Sequence, residues 1–244
     1  MIASRRQLLG LSLTALASDQ TPSRALKIVC VGGHPDDPES GCGGTLARCA
    51  ELGHRVTIVY LTRGEAGIAG KSHSDAAAVR SAECEAACKI LGAKPVFAGQ
   101  IDGATVIDKA AAQSFTKLLL AESPQVVLTQ WPIDTHMDHQ AASLLTFRAW
   151  LIARPRFELY YYEVDLGAQT LGFHPTDYVD ITSVREKKKK ALFAHVSQNG
   201  EQIYKQHHEI IENYRGREGG CAAAEAFVHL ARADGGNGTL LGVR

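Results

Sequence analysis

The sequence has no net charge, because 26 lysines and arginines balance 26 aspartates and glutamates. Without a basic excess there is no electrostatic footprint for nucleic acid, and none is expected as a partner. No run of eighteen consecutive apolar residues occurs, so no membrane-spanning helix is expected. None of the six cysteines (Cys30, Cys42, Cys49, Cys84, Cys88, Cys221) forms a CxxC pair, which argues against a thiolate metal site or a disulfide scaffold. They are expected to be free thiols acting as small hydrophobes. Glycine is plentiful, but the GxGxxG spacing is missing. The turn Val31-Gly32-Gly33-His34-Pro35-Asp36-Asp37 puts two carboxylates where a pyrophosphate needs donors, so nucleotide binding is disfavoured. The one concentrated basic run, Lys187 to Lys190, reads as a solvated helix surface.

Two short strings carry the chemistry: His34-Pro35-Asp36-Asp37 and, about a hundred residues on, His136-Met137-Asp138-His139. Each follows a run of small and β-branched apolar residues and precedes a helical pattern. Together they supply three imidazoles and three carboxylates, enough to hold a divalent metal and leave acid/base groups beside it. Zinc takes His nitrogen and carboxylate oxygen, and a catalytic site uses three protein ligands with one position open. The residues therefore point to a zinc hydrolase.

Residues 1–24 read as a leader. Met1 to Arg6 is basic, Leu8 to Ala17 apolar, and Ala15-Leu16-Ala17 suits cleavage. Ser4-Arg5-Arg6-Gln7-Leu8-Leu9 resembles a twin-arginine signal, so a folded protein exported to the periplasm or beyond is expected. Residues 25–244 read as one domain. Strands are predicted over Leu26–Val31, Arg55–Leu61, Pro95–Ala98, Gln125–Thr129, Phe157–Val164 and Tyr178–Ile181. Helices are predicted over Gly43–Leu52, Asp75–Leu91, Asp108–Ala121, Asp138–Ala153 and Ser183–His195. This alternation implies a Rossmann-like, doubly wound α/β fold, a mostly parallel sheet of order 3-2-1-4-5 with helices on both faces. Ligands bind such sheets where the strand order reverses, between strands 1 and 4. Both strings sit there, so topology alone brings His34 and His139 together.

The paired strings resemble the PIG-L/LmbE-like de-N-acetylases, a family that includes deacetylases of N-acetylglucosaminyl-inositol compounds and of mycothiol and bacillithiol synthesis. Leu61-Thr62-Arg63-Gly64-Glu65-Ala66-Gly67, Arg80-Ser81-Ala82-Glu83, Asp102-Gly103 and His195-Val196-Ser197-Gln198 fall in the family's order. The resemblance implies that His34, Asp37 and His139 bind Zn2+, with Fe2+ a conceivable replacement. It also implies that Asp36 is the general base and that His136 stabilises the oxyanion. His136 and His139, at i and i+3 where a helix starts, can share a face. Adjacent Asp36 and Asp37 cannot point the same way, which suits two roles. Asp138 either orients an imidazole or serves as helix N-terminal charge.

The implied reaction is loss of acetate from a small N-acetyl sugar. A protonated His136 is the expected oxyanion donor, its titration setting the basic limb of a bell-shaped pH profile. Arg80, Asp102 and Arg63 are candidate substrate contacts, although Arg80 could equally pair with Glu83 or Glu85 along its helix. His195 reads as a ligand-orienting or simply packed histidine. His54, His73, His174, His207, His208 and His229 show no constellation. One departure from the family is Pro38, which stands where a Glu usually follows the two Asp residues; Glu39 comes next. Two rivals stand beside this reading: an amidase acting on a thiol conjugate or other acyl amide, and a non-catalytic sugar-binding protein.

Overall fold

The computed structural model describes residues 25–154, 156–165 and 168–230; the expected leader lies outside the described residues. Seven strands form one sheet: β1 (Lys27–Gly32), β2 (Arg55–Tyr60), β3 (Ala93–Phe97), β4 (Val126–Gln130), β5 (Glu158–Tyr162), β6 (Asp177–Asp180) and β7 (Ala224–His229). Their order is β3-β2-β1-β4-β5-β7-β6. The first five are parallel, in the 3-2-1-4-5 order expected. Strand β7 joins β5 and β6 antiparallel, which the sequence pattern did not indicate.

Successive side chains of a strand point to opposite faces, and a parallel sheet covered on both faces buries them all. In β1, Ile28 and Cys30 enter one core, with Ile58, Leu46 and Leu91, while Val29 and Val31 enter the other, with Leu119, Leu145 and Trp150. The first core is roofed by α1 (Asp37–Glu51), α2 (His73–Leu91) and α5 (Arg185–Phe193), the second by α3 (Lys109–Ala121) and α4 (Met137–Ile152). The cysteines are free, and all but Cys221 are buried.

Local signals set the helix ends. Ser72 caps α2 by accepting from the Asp75 N–H, and Gly92 ends it in the left-handed region at φ 80°. Helix α1 starts six residues before the predicted Gly43, straight from the first string, and is kinked at Cys42. Its glycines permit close packing: a Cβ on Gly44 would come within 2.7 Å of Ile181. After α5 the chain forms a short helix α6 (Gly200–Ile203), a π turn (Tyr204–His208) and α7 (Glu209–Gly219).

The lysine run is only partly a solvated surface. Lys188 is buried, its Nζ 2.8 Å from Glu212 and 2.7 Å from Glu225. A buried ammonium needs such partners, and none of them is visible in the local pattern.

Candidate metal centre and active site

The first string leaves β1 at the sheet's carboxyl edge and turns at once into α1. The second forms the N-terminus of α4, beyond the end of β4. The Gln130 Oε1 accepts from the Gly33 N–H at 2.8 Å and so ties the two strand ends together.

Asp37 lies between two imidazoles. Its Oδ2 is 3.1 Å from His34 Nδ1, and its Oδ1 is 3.3 Å from His139 Nε2. Ligand atoms about 2.1 Å from a tetrahedral ion would sit about 3.4 Å apart, so this spacing fits a zinc-sized cation. The outer nitrogen of each ring is held by a carboxylate. His34 Nε2 faces Asp138 at 3.0 Å and Asp102 at 3.2 Å, and His139 Nδ1 faces Asp134 at 3.1 Å. Metal-binding histidines are oriented in this way. The donor set therefore fits a divalent metal held by His34 Nδ1, Asp37 and His139 Nε2. Two other groups of three converge among the described residues: His34 with His136 and His139, where the His136 Nδ1 is already taken by the α4 cap, and His34 with Asp102 and Asp138, which is less suited. There Asp138 already accepts from the Gly103 N–H and the Thr105 hydroxyl, and Asp102 accepts from the Ala66 N–H.

The two adjacent carboxylates are in opposite electrostatic states. Burial pushes the Asp36 carboxyl up, and neighbouring Asp37 adds to this against the Arg80 guanidinium. For Asp37, burial acts upward too, but His139 and His34 outweigh it and hold the group well below the usual range. Asp36 also has φ 110°, outside the regions favoured by L-residues, a strain that persists only where the surroundings impose it. Arg80 supplies part of that restraint, bonding the Pro35 carbonyl and lying 3.2 Å from Asp36 Oδ2. The alternative considered for it, a pairing with Glu83 along the helix, does not form; Glu83 instead accepts from the Ser197 N–H and hydroxyl.

His136 caps α4, its Nδ1 accepting from the Asp138 N–H at 3.2 Å. That leaves Nε2–H as the free donor of a neutral ring. Burial, then His34 and His139, lower its pKa, and a nearby cation would act in the same direction. The expectation of a protonated His136 is thus corrected: a neutral imidazole is the available donor.

These groups open on a cavity of about 600 Å³. His34, Asp36, Asp37, Arg80, Asp102, His136 and His139 line it. Asp138 lies behind it, fully buried, orienting His34. Arg63 is not brought in; it is exposed, its guanidinium 5.1 Å from the Phe97 ring centre. His195 is buried 3.4 Å from Glu39, which also accepts from the Tyr60 hydroxyl. Pro38 fits the first turn of α1, so the loop is braced there and Glu39 falls one place later. Sequence reasoning missed Asp134, whose only signal was its place two residues before His136. It also set aside His207 and His208, which the π turn brings to the cavity wall.

The fold and site together define a metal-dependent amide hydrolase. Comparison with known proteins makes the assignment specific. Residues 29–150 match the family model described as PIG-L, GlcNAc-PI de-N-acetylase. The chain is 30% identical to diacetylchitobiose deacetylase of Thermococcus kodakarensis, over 84% of this chain and 85% of that one. It superposes on N,N′-diacetylchitobiose deacetylase from Pyrococcus horikoshii with TM-score 0.75 and 25% identity, covering 86% of each chain. The 4-carboxy-2-hydroxymuconate hydratase GalB of Pseudomonas putida KT2440 shares the fold alone, at TM-score 0.73 and 23% identity over 85% of this chain and 97% of that one. The chain belongs to the PIG-L family of de-N-acetylases.

Proposed function

We propose that this chain is a zinc-dependent deacetylase that removes the acetyl group from an N-acetylglucosaminyl-type substrate, giving an amino sugar and acetate. The observation that carries the reading is the different placement of Asp36 and Asp37: Asp37 lies between His34 and His139, at 3.1 and 3.3 Å, whereas Asp36, its neighbour, lines the cavity and is held by Arg80 instead. One carboxylate is thus placed to hold a cation and the other to move a proton beside it. A divalent cation held by His34, Asp37 and His139 would supply Lewis acidity at the acetamide carbonyl and acidify water beside it.

The chain's own groups do the rest. Asp36, at the cavity wall, takes the proton of the attacking water. The neutral His136 ring donates Nε2–H to the carbonyl oxygen as negative charge grows on it, and its tautomer is fixed beforehand by the helix cap. Asp36 then returns the proton to the leaving nitrogen as the C–N bond breaks. Arg80 keeps the Asp36 carboxylate in place, and Asp102 and Asp138 do the same for His34.

The test is acetate release from a panel of N-acetylglucosaminides by the metal-loaded protein. Acetate and an equal amount of free amine are expected. Turnover of thiol-conjugate or other acyl amides alone would favour the rival amidase, and sugar binding with no turnover of any amide would contradict the enzymatic reading. The Ser4-Arg5-Arg6 string and its apolar sequel support export to the periplasm or beyond. A chain starting at Ser23 should then fold and deacetylate unaided; failure to fold would overturn this.

A further inference from the structure

Two thiols bracket the first string. Cys30 lies in β1, four residues before His34, and Cys42 lies in α1, five residues after Asp37. Their Sγ atoms are 3.2 Å apart, although the residues are twelve apart in sequence. A disulfide bond is about 2.05 Å long, so about 1.2 Å of closure separates this contact from a bond. Cys42 donates to the Pro38 carbonyl at 3.3 Å, which leaves Cys30 to donate to Cys42. The chemistry above uses neither thiol.

The pair is shielded in the closed fold but hinged at one partner. Both side chains are fully buried in the first core. Burial pushes both thiols up, so neither supplies the thiolate that disulfide exchange requires. Cys42, however, is the residue at which α1 is interrupted: its φ of −148° and ψ of 18° are not helical. Gly41 and Gly43 flank it, and glycine leaves a backbone free to rearrange. The first turns of α1 can therefore open at Cys42 while the helix beyond stays wound. The neighbouring thiols differ. Cys84 and Cys88 lie one turn apart on α2, which has no such interruption, and Cys88 is 3.3 Å from the Tyr60 hydroxyl.

We propose that Cys30 and Cys42 are a redox-reactive pair, which a disulfide oxidant converts into a bond clipping β1 to α1 across the first string. When the start of α1 opens, the Cys42 thiolate attacks one sulfur of the oxidant's S–S bond and expels the other as a thiol. Cys30 then attacks Cys42 in the mixed disulfide and expels the second thiol. Two protein S–H groups and one oxidant disulfide thus become one protein disulfide and two oxidant thiols, the protons ending on the expelled sulfurs. The bond closes a short ring that contains His34, Asp36 and Asp37, so the string has less freedom to move away from a bound metal.

The clip goes beyond the deacetylase reading, and its formation does not depend on that reading. An oxidising destination, as proposed for the leader, would hold a suitable oxidant.

Oxidised glutathione, added to the zinc-loaded full chain, tests the pair; free thiols are then blocked and unreduced peptides mapped by mass spectrometry. A peptide linking Cys30 to Cys42 is expected. The melting temperature should rise by about 5–10 °C, the scale for a ring of this size in a chain of this length. Release of zinc to a chelator should slow several-fold, and dithiothreitol should reverse all three changes. Zinc-free protein should cross-link faster, since bound metal opposes opening of the string. Cys42→Ala should show neither the melting shift nor the slowed release in oxidised glutathione. Cys30→Ala, on the other element, gives the same readout if that variant does not fold. No linked peptide, even after unfolding in urea and refolding in oxidised glutathione, would overturn the pair. Cross-links through Cys49, Cys84 or Cys88 in its place would do so too, as would a linked protein that melts no higher or releases zinc no more slowly. A chain that binds no zinc or releases no acetate would instead defeat the proposed function, with the linked peptide and the melting shift still deciding the pair.

Discussion

The five parallel strands and the C-terminal segment that closes the cavity are held together by different forces. The parallel part is apolar on both faces, and its switch point brings the two histidine–aspartate strings to one edge of the sheet. The C-terminal part is anchored by buried ions. Lys188 of α5 joins Glu212 of α7 to Glu225 of β7, and Arg215 of α7 grips Glu163 with two bonds of 2.6 and 2.8 Å. Glu225 also accepts from the Gly44 and Thr45 N–H groups where α1 is kinked, so the antiparallel edge is fastened to the helix that begins with Asp37. Topology thus positions the two strings, while a directional charge network positions the opposite wall of the cavity. Hydrophobic burial is non-directional, whereas ion pairs with shared partners fix one arrangement.

The largest effect is expected at the proposed metal ligands. His139→Ala should lose bound metal and acetate release together while far-UV circular dichroism stays unchanged, because α4 and its apolar seat do not depend on the imidazole. Metal retained at full stoichiometry would show that His139 is not a ligand; collapse of the fold would show that the parallel half depends on the metal.

Next in size is the anchor. Lys188→Ala leaves Glu212 and Glu225 facing each other in a buried site, and should cost about 3–5 kcal/mol in urea unfolding. Leu145→Ala, in the parallel half, should cost about 2–5 kcal/mol through its cavity. The two should differ in function: the lysine variant is expected to impair sugar binding even where it stays folded, and the leucine variant is not. Equal effects on binding would remove the distinction between the halves.

The smallest effect is in acid. His208 has a folded-state pKa of about 3 against an ordinary value near 6.5, so between those pH values the unfolded chain takes up a proton that the folded chain refuses. Stability therefore falls as pH drops through this window, by about 2 kcal/mol from this group at pH 5. His208→Gln should flatten that part of the pH–stability curve; an unchanged slope would mean that His208 is protonated in the fold.

The same division governs what could be read from sequence. Strands β1, β2, β4 and β5 are rich in Val, Ile, Leu and Tyr, β3 (Ala-Lys-Pro-Val-Phe) is weaker, and the helical patterns between them imply parallel crossovers, which are right-handed as a rule. Strand β7, Ala-Glu-Ala-Phe-Val-His, begins with residues of low strand propensity, and its Glu225 is buried by partners far along the chain. Helix α7 escaped for a similar reason: Glu212 and Arg215 face inward, so its buried side has no apolar period. The two metal strings were legible because their donors are contiguous. Asp134 and His208 were not, since an aspartate before a helix or a histidine in a polar stretch has meaning only through its spatial neighbours.

Of the two adjacent carboxylates, Asp37 is assigned to the metal and Asp36 to the proton. Metal content and acetate release, measured side by side on Asp36→Asn and Asp37→Asn, decide it. Asp36→Asn should keep a full equivalent of zinc and lose about 10²- to 10⁴-fold in kcat, the usual contribution of a general base, while Asp37→Asn should lose the zinc itself. Zinc lost from Asp36→Asn and retained by Asp37→Asn would contradict the assignment.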